Sequence, residues 1–568
     1  MLNKVITTLQ TCHRGEILKR LEYKFKDVFG YFKLRNKCLN VDNCYNIKIP
    51  NIDFNLDNVS IDDSCFIFSK QINFSDIKKQ LYFNKCFWRN CNLNRFDDVK
   101  LVWEANRLQF LPSLALNYIK SENNKYKTMI IETIDYWCEK NQYEYSINWA
   151  NNLEVAIRSV SLFLTLLILN DKELTKKYSK LIYLHGKYLY NEINYTKVCI
   201  PNNHLIGEAV ALLLCSSIIG HRDSKKWKKR STHILEKYND IILDDGSSFE
   251  NSFSYQFFVT KMFILALCFI DDSGLRNKLN NKVLGSLKLL HLTLYDNKCI
   301  NYGDNDDGCY FTMFNRYNLY DDITRYYNMF FKQKLDLETE IISSLLRANN
   351  TAITFGSEDS SNYFVNKNLF LFRWDNNLIF FNAKNIEGHA HNDSLHIELI
   401  LKDQNVLTDC GTYSYNLNRK KREYYVARSA HNTILSQKQN ATHVRTFRWK
   451  NLADSYIDNI RVDDDIVEIS GIIENICERK IIINKQEHII EVYDKTLDNN
   501  YPIRTNWIVN DSKFKNKTIK NKYCDIVFES SNVEQHNVTV SNHYLEEHEV
   551  PCYMTAESLD TITKIMLK

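Results

Sequence analysis

Through residues 97–348 apolar positions recur at three- and four-residue steps, and that spacing predicts helices. Residues 102–119 form one such stretch, and Pro112 inside it predicts a kink or a fresh start. Residues 152–169 predict a second helix, and residues 205–219 a third, with Gly220 as its stop. Residues 257–270 and 282–294 continue the series, with no convincing strand between them. Near Asn349 the period changes. Short runs rich in Phe, Leu and Ile alternate with Asn, Asp and Gly. Residues 363–381, broken at Asp375-Asn376-Asn377, and 395–407, broken near Lys402, read as strand pairs. So do 466–472, 480–492, 505–509 and 536–540. The pattern predicts a multidomain α + β chain, with an all-α domain over 97–348 and an antiparallel β-sandwich over 349–568. Residues 1–96 hold a strand-like Cys65-Phe66-Ile67-Phe68 but no clear period, and are set apart as an N-terminal extension.

Length agrees with more than one core, since 568 residues exceed what one hydrophobic core organises. Hydrophobic residues at 44% and charged residues at 25% are ordinary for a folded globular chain. Lys and Arg number 73 against 69 Asp and Glu, a net +4, a near balance that does not indicate a nucleic-acid binder and leaves room for a local basic groove. The 16 cysteines follow no regular spacing, and residues 1–28 contain no apolar signal core. The expectation is reduced thiols in a cytoplasmic protein, or a periplasmic one if an export signal has escaped notice. No run of about 18 apolar residues is apparent, so no membrane span is expected.

Four segments hold residues with chemistry. Pro201-Asn202-Asn203-His204 precedes an apolar helix, where Asn serves as an N-cap. The same helix start carries partial positive charge and attracts carboxylates, and Glu208 lies one turn beyond His204. Tyr255 follows the turn Asp244-Asp245-Gly246 and a run of small polar residues. A catalytic tyrosine there needs neighbours that lower its pKa. Residues 301–308 form a Gly- and Asp-rich loop without the spacing of a calcium-binding EF-hand. His389-Ala390-His391, placed on a strand, would point both imidazoles to one face. His391 with Asp409 and His431 has the composition of a zinc triad, open to a structural role or to activation of a water in a hydrolase.

In this order the segments resemble the heparinase II/III-like polysaccharide lyases, and the similarly built alginate lyases, from about residue 97 onward. The pieces are Trp103-Glu104 with Arg107, Arg158, Asn202-Asn203-His204, the Asp-Gly segment ending at Tyr255, Gly303-Asp304, Asp307-Gly308, Gly388-His389-Ala390-His391, Asp409 to Tyr413, and Ser429 to Thr433. The resemblance implies an incomplete (α/α) toroid followed by an antiparallel β-sandwich. It implies an anionic, uronate-containing polysaccharide cleaved by β-elimination. Tyr255 then protonates the leaving oxygen and in some readings abstracts the proton. His204 is the base of some members, and Asn203 and His389 neutralise the substrate carboxylate. Arg158, Glu208 and Asn202 are expected beside the substrate, and His391, Asp409 and His431 around a structural zinc with no organic cofactor. The alternative is a non-catalytic carbohydrate protein of surface-polysaccharide assembly.

Overall fold

The computed structural model describes residues 12–57, 59–68, 70–358, 361–439, 441–515, 517–529 and 532–568. The chain divides into two compact units. The first comprises Met1–Ser247, Phe257–Leu287 and Gly308–Glu358, and the second Ser248–Gln256, Lys288–Asp307 and Asp359–Lys568.

The first unit is helical. Pro112 restarts a helix: Val99–Asn106 stops, and Leu111–Ser121 begins with the proline in its first turn, where no N–H is required. Asn152–Leu169 is capped by Asn151 and buried almost throughout. By length and composition it is apolar enough to cross a membrane, which the sequence reading overlooked, yet nearly all of it packs inside the unit. It is a core helix, as an all-round apolar helix must be in a folded chain. Asn203–Ile218 is of the same kind, with Asn202 as N-cap accepting from the His204 N–H at 3.2 Å. Residues 14–28 and 31–37 are helices too, and Ser64–Ile67 pairs antiparallel with Lys70–Asn73.

The second unit is built mainly of antiparallel sheets. A five-stranded meander runs Tyr363–Val365, Leu369–Trp374, Asn377–Asn382, His396–Leu401, Gln404–Leu407. Eight- and four-stranded sheets follow, and all three contribute to one apolar core that includes Phe370, Phe381, Ile397, Ile469, Ile481, Val492, Trp507 and Tyr553. Period-two alternation explains the packing: in Cys477–Asn484 every second side chain points inward. One of these is Arg479, whose buried charge is matched by Asp494 at 2.6 and 2.8 Å. Its remaining donor reaches the carbonyls of Leu395 and Asn432 at 2.9 and 2.7 Å. Asn432 in turn donates to the carbonyls of Ile397 and Thr408 and accepts from the Ile508 N–H. This network fixes the segment that carries His431.

Candidate active site

Residues 388–393 form a loop ahead of the strand His396–Leu401, not part of a strand as expected. Their shared orientation comes from other contacts. The His389 N–H donates to the Glu250 carbonyl at 2.8 Å, and the His389 carbonyl accepts from the Asp304 N–H at 3.0 Å. The Ser252 hydroxyl donates to the Asp304 carbonyl at 2.6 Å. Segments 250–252 and 303–304 are thereby each laced to His389 main chain to main chain, and the Ser252 hydroxyl joins them to one another. Glycine is required at two crossings. Gly303 has φ +66°, and a Cβ there would lie 2.1 Å from the Asn251 carbonyl oxygen; Gly388 has φ +60° against the Glu250 backbone.

Asp304 is the centre of this site. It is fully buried, and its two oxygens accept from His389 Nδ1 and His391 Nε2, each at 3.0 Å. The guanidinium of Arg422 donates to both oxygens as well, at 2.9 Å on the His389 side. Burial opposes ionisation, but Arg422 and the two histidines outweigh it and hold the carboxyl well below its usual range. An ionised carboxylate only accepts, so His389 carries its proton on Nδ1 and His391 on Nε2. His389 presents Nε2, 3.8 Å from a Glu250 carboxylate oxygen. His391 presents Nδ1, which has no hydrogen-bond partner.

The Tyr255 ring stacks on His389, centroids 3.5 Å apart and planes within 13°. Its hydroxyl lies 3.1 Å from Asp306 Oδ2 and 3.0 Å from the Tyr415 hydroxyl. Asp306 only accepts when ionised, so Tyr255 donates to Asp306 and accepts from Tyr415. Burial, reinforced by the Asp306 charge, holds the Tyr255 pKa well above its ordinary value of 10.0. A catalytic tyrosine is expected to have neighbours that lower its pKa; the Tyr415 hydroxyl acts in that direction, but burial and the Asp306 charge outweigh it, so the hydroxyl keeps its proton at neutral pH. Phe447 closes the group edge-on, 4.8 Å from His389 and 5.3 Å from Tyr415.

On the far side of Asp304, His391, Asp409 and His431 are buried and offer ligand atoms all within 4.8 Å of one another. Asp409 accepts from the Gly411 N–H at 2.6 Å and lies 2.7 Å from His431 Nδ1. His431 Nε2, like His391 Nδ1, has no hydrogen-bond partner. Two buried imidazole nitrogens without partners beside a carboxylate fit a zinc-like ion, and Asp304 behind His391 is the carboxylate that such a ligand uses to fix its tautomer. A second cluster, His396, Glu398 and Asp409, does not fit. The Asn432 N–H donates to His396 Nδ1 at 2.9 Å, which puts the ring proton on Nε2, the atom that would have to bind.

The other expected residues belong to the helical unit. Asn203 is buried at the first position of its helix, and His204 is half-buried beside it. Glu208 is fully buried, accepts from the Asn152 amide at 3.3 Å, and burial pushes its pKa up to about 8. Arg158 departs from its expected place beside the substrate. It is 1% exposed, stacked over Trp137, and bonded to His185, the Asn106 carbonyl and the Asn148 carbonyl, so it ties helices together.

Sequence reasoning gave no role to Asp304, Asp306, Tyr415 or Arg422. The first two lay in the Gly- and Asp-rich loop 301–308, of which Gly303-Asp304 entered only as a piece of the resemblance. Arg422 stands in Arg419-Lys420-Lys421-Arg422-Glu423, which reads as a solvated face. Only the apolar Tyr425 and Val426, three and four residues on, mark the side of that helix that turns inward.

Two family models match the chain: the heparinase II/III N-terminus over residues 1–295 and the heparinase II/III-like C-terminal model over 359–494. The first takes in the opening 96 residues, for which the sequence suggested no relative. Comparison with curated proteins finds no match. Among solved structures, heparinase III is similar at 13% identity, with TM-score 0.64 over 99% of this chain and 93% of that one. The heparan sulfate lyase HepC from Pedobacter heparinus is similar at 16% identity, with TM-score 0.53 over 83% and 77%. At such identities the likeness to these structures is one of fold.

Proposed function

The chain belongs to the heparinase II/III family, and from that premise we propose that it is a polysaccharide lyase cleaving a uronate-containing glycosaminoglycan by β-elimination. The observation that carries the reading is the stack of Tyr255 on His389, with Asp306 and Tyr415 on the hydroxyl and Asp304 behind the imidazole.

Elimination removes the weakly acidic C5 proton of a uronic acid and expels the 4-linked oxygen, leaving a 4,5-unsaturated sugar. The residues divide that work. Tyr255 keeps its proton at neutral pH, so it acts as the acid that protonates the leaving oxygen. His389, fixed at Nδ1 by Asp304, is assigned to the substrate carboxylate, where charge develops as the C5 proton leaves. Asn203 is assigned to the same carboxylate and His204 to proton abstraction; this part rests on the resemblance. We also propose that His391, Asp409 and His431 hold a divalent metal, zinc by the donor set. When bound it cross-links the loop carrying His389 to the sheets.

The test is incubation with heparan sulfate and a panel of other uronate polymers. The reading predicts rising absorbance at the ultraviolet edge and product masses that sum to the polymer. Products heavier by a water would mean hydrolysis, and no product from any polymer would favour a non-catalytic carbohydrate protein.

A further inference from the structure

The N-terminal helices are turned inside out. The helix Arg14–Val28 and the short helix Tyr31–Lys37 grip the helical unit through polar and aromatic groups. Arg35 bonds Glu192 at 2.6 Å and also Glu144. Tyr23 packs on Tyr195, centroids 4.6 Å apart, and Phe32 lies under Arg89 and beside Trp88. The opposite face carries Leu18, Leu21, Phe25 and Val28, spaced at three or four residues and so aligned in one stripe. Phe29 and Leu34 extend it. These are exposed side chains: Phe25 at 62%, Val28 at 75%, Phe29 at 81%, Leu34 at 62%. A continuous exposed apolar stripe of this kind marks a surface meant to be covered.

The charge around the stripe indicates what covers it. Residues 14–37 contain eight Lys or Arg against three Asp or Glu, a net +5 on a chain whose total is +4. Arg14, Lys24, Lys33 and Lys37 are exposed and form no ion pair among the described residues. A second copy meeting the stripe about a two-fold axis would set +5 against +5. A sugar polymer offers few groups for Leu18, Leu21 or Val28. An anionic bilayer answers both features, since phenyl and aliphatic side chains enter the acyl boundary while lysines meet lipid phosphates. We propose that the face made by Leu18, Leu21, Phe25, Val28, Phe29 and Leu34 docks this protein on an anionic lipid surface. The inference is independent of the lyase reading.

The test is co-sedimentation of the full chain with phosphatidylcholine vesicles, with and without phosphatidylglycerol. The wild type is expected to pellet with the mixed vesicles and stay in solution with phosphatidylcholine alone. Phe25→Glu with Phe29→Glu should weaken binding by about tenfold or more at an unchanged melting temperature. Lys24→Glu with Lys33→Glu should do so through charge alone, and it carries the test if the first variant melts early. A wild type that ignores anionic vesicles, or variants that bind them as it does, overturns the proposal. So does a wild-type dimer that the same substitutions dissociate without any vesicle binding, which would give the stripe to a second copy.

Discussion

Asp304 accepts from His389 on one oxygen and from His391 on the other, and having no proton to give, it selects complementary tautomers in two residues that stand two apart in sequence. The histidine proposed to face the sugar and the histidine proposed to bind the metal thus share one support. Asp304→Asn supplies an N–H where one imidazole needs an acceptor and leaves Arg422 without its counter-charge. Turnover is expected to fall by roughly 10–100-fold and metal affinity by a similar factor, with KM little changed, read by steady-state kinetics and metal analysis of one preparation. A loss of turnover with full metal retention would separate the two roles assigned to Asp304. His389, His391, Asp409 and His431 were legible in the sequence because histidine and carboxylate pairs are rare enough to stand out. Asp304 was legible only as half of a Gly-Asp piece with no role attached, because an aspartate after glycine in a polar loop is what any turn contains, and only the fold brings it under both histidines.

At the scale of elements, the apolar periods located helices such as Asn152–Leu169 and Asn203–Ile218 and the strands of the five-stranded meander, since burial of one face or of all faces dictates the period. They passed over Asn124–Lys140, Lys172–Cys199 and Asp223–Tyr238, whose apolar positions are diluted by Lys, Glu and Tyr, and the loop 388–393, whose geometry is set by bonds to segments 250–252 and 303–304, distant in sequence and carrying no periodic signal. The helix Asn203–Ile218 offers a test of its own. Buried Glu208 has its pKa raised from 4.5 to about 8. Its stabilising contribution is therefore intact below the unfolded value and is lost as pH rises toward the folded one. In that window the unfolded chain has released the proton and the folded chain has not, at about 1.4 kcal/mol per pH unit. Glu208→Gln removes the titration. The melting temperature of the wild type should fall relative to the variant as pH rises from about 5 to about 8. A gap that stays constant over that range would mean Glu208 is ionised in the fold.

At the scale of the molecule, the order of a helical unit and a sheet-rich unit was visible in the change of period near residue 349. The segments 248–256 and 288–307, which join the sheet-rich unit from within the helical stretch, were not, because 248–256 is short and polar and 288–294 continues the apolar period of the helix before it. They bring Tyr255, Asp304 and Asp306 to His389. The proposed metal sits one residue-pair away, and the two histidines should separate under substitution. His391→Ala is expected to lower metal content and melting temperature together, as chelation of the wild type should; His389→Ala should leave metal in place and abolish turnover. Equal metal loss in both would add His389 to the ligand set. The central claim is that Tyr255, holding its proton beside Asp306 and stacked on His389, is the acid of an elimination. The most direct measurement is the rate of unsaturated-product absorbance from a cleaved uronate polymer for the wild type and for Tyr255→Phe. The variant is expected to keep its fold and substrate binding and to lose turnover by at least about a hundredfold; an undiminished rate would remove Tyr255 from the reaction.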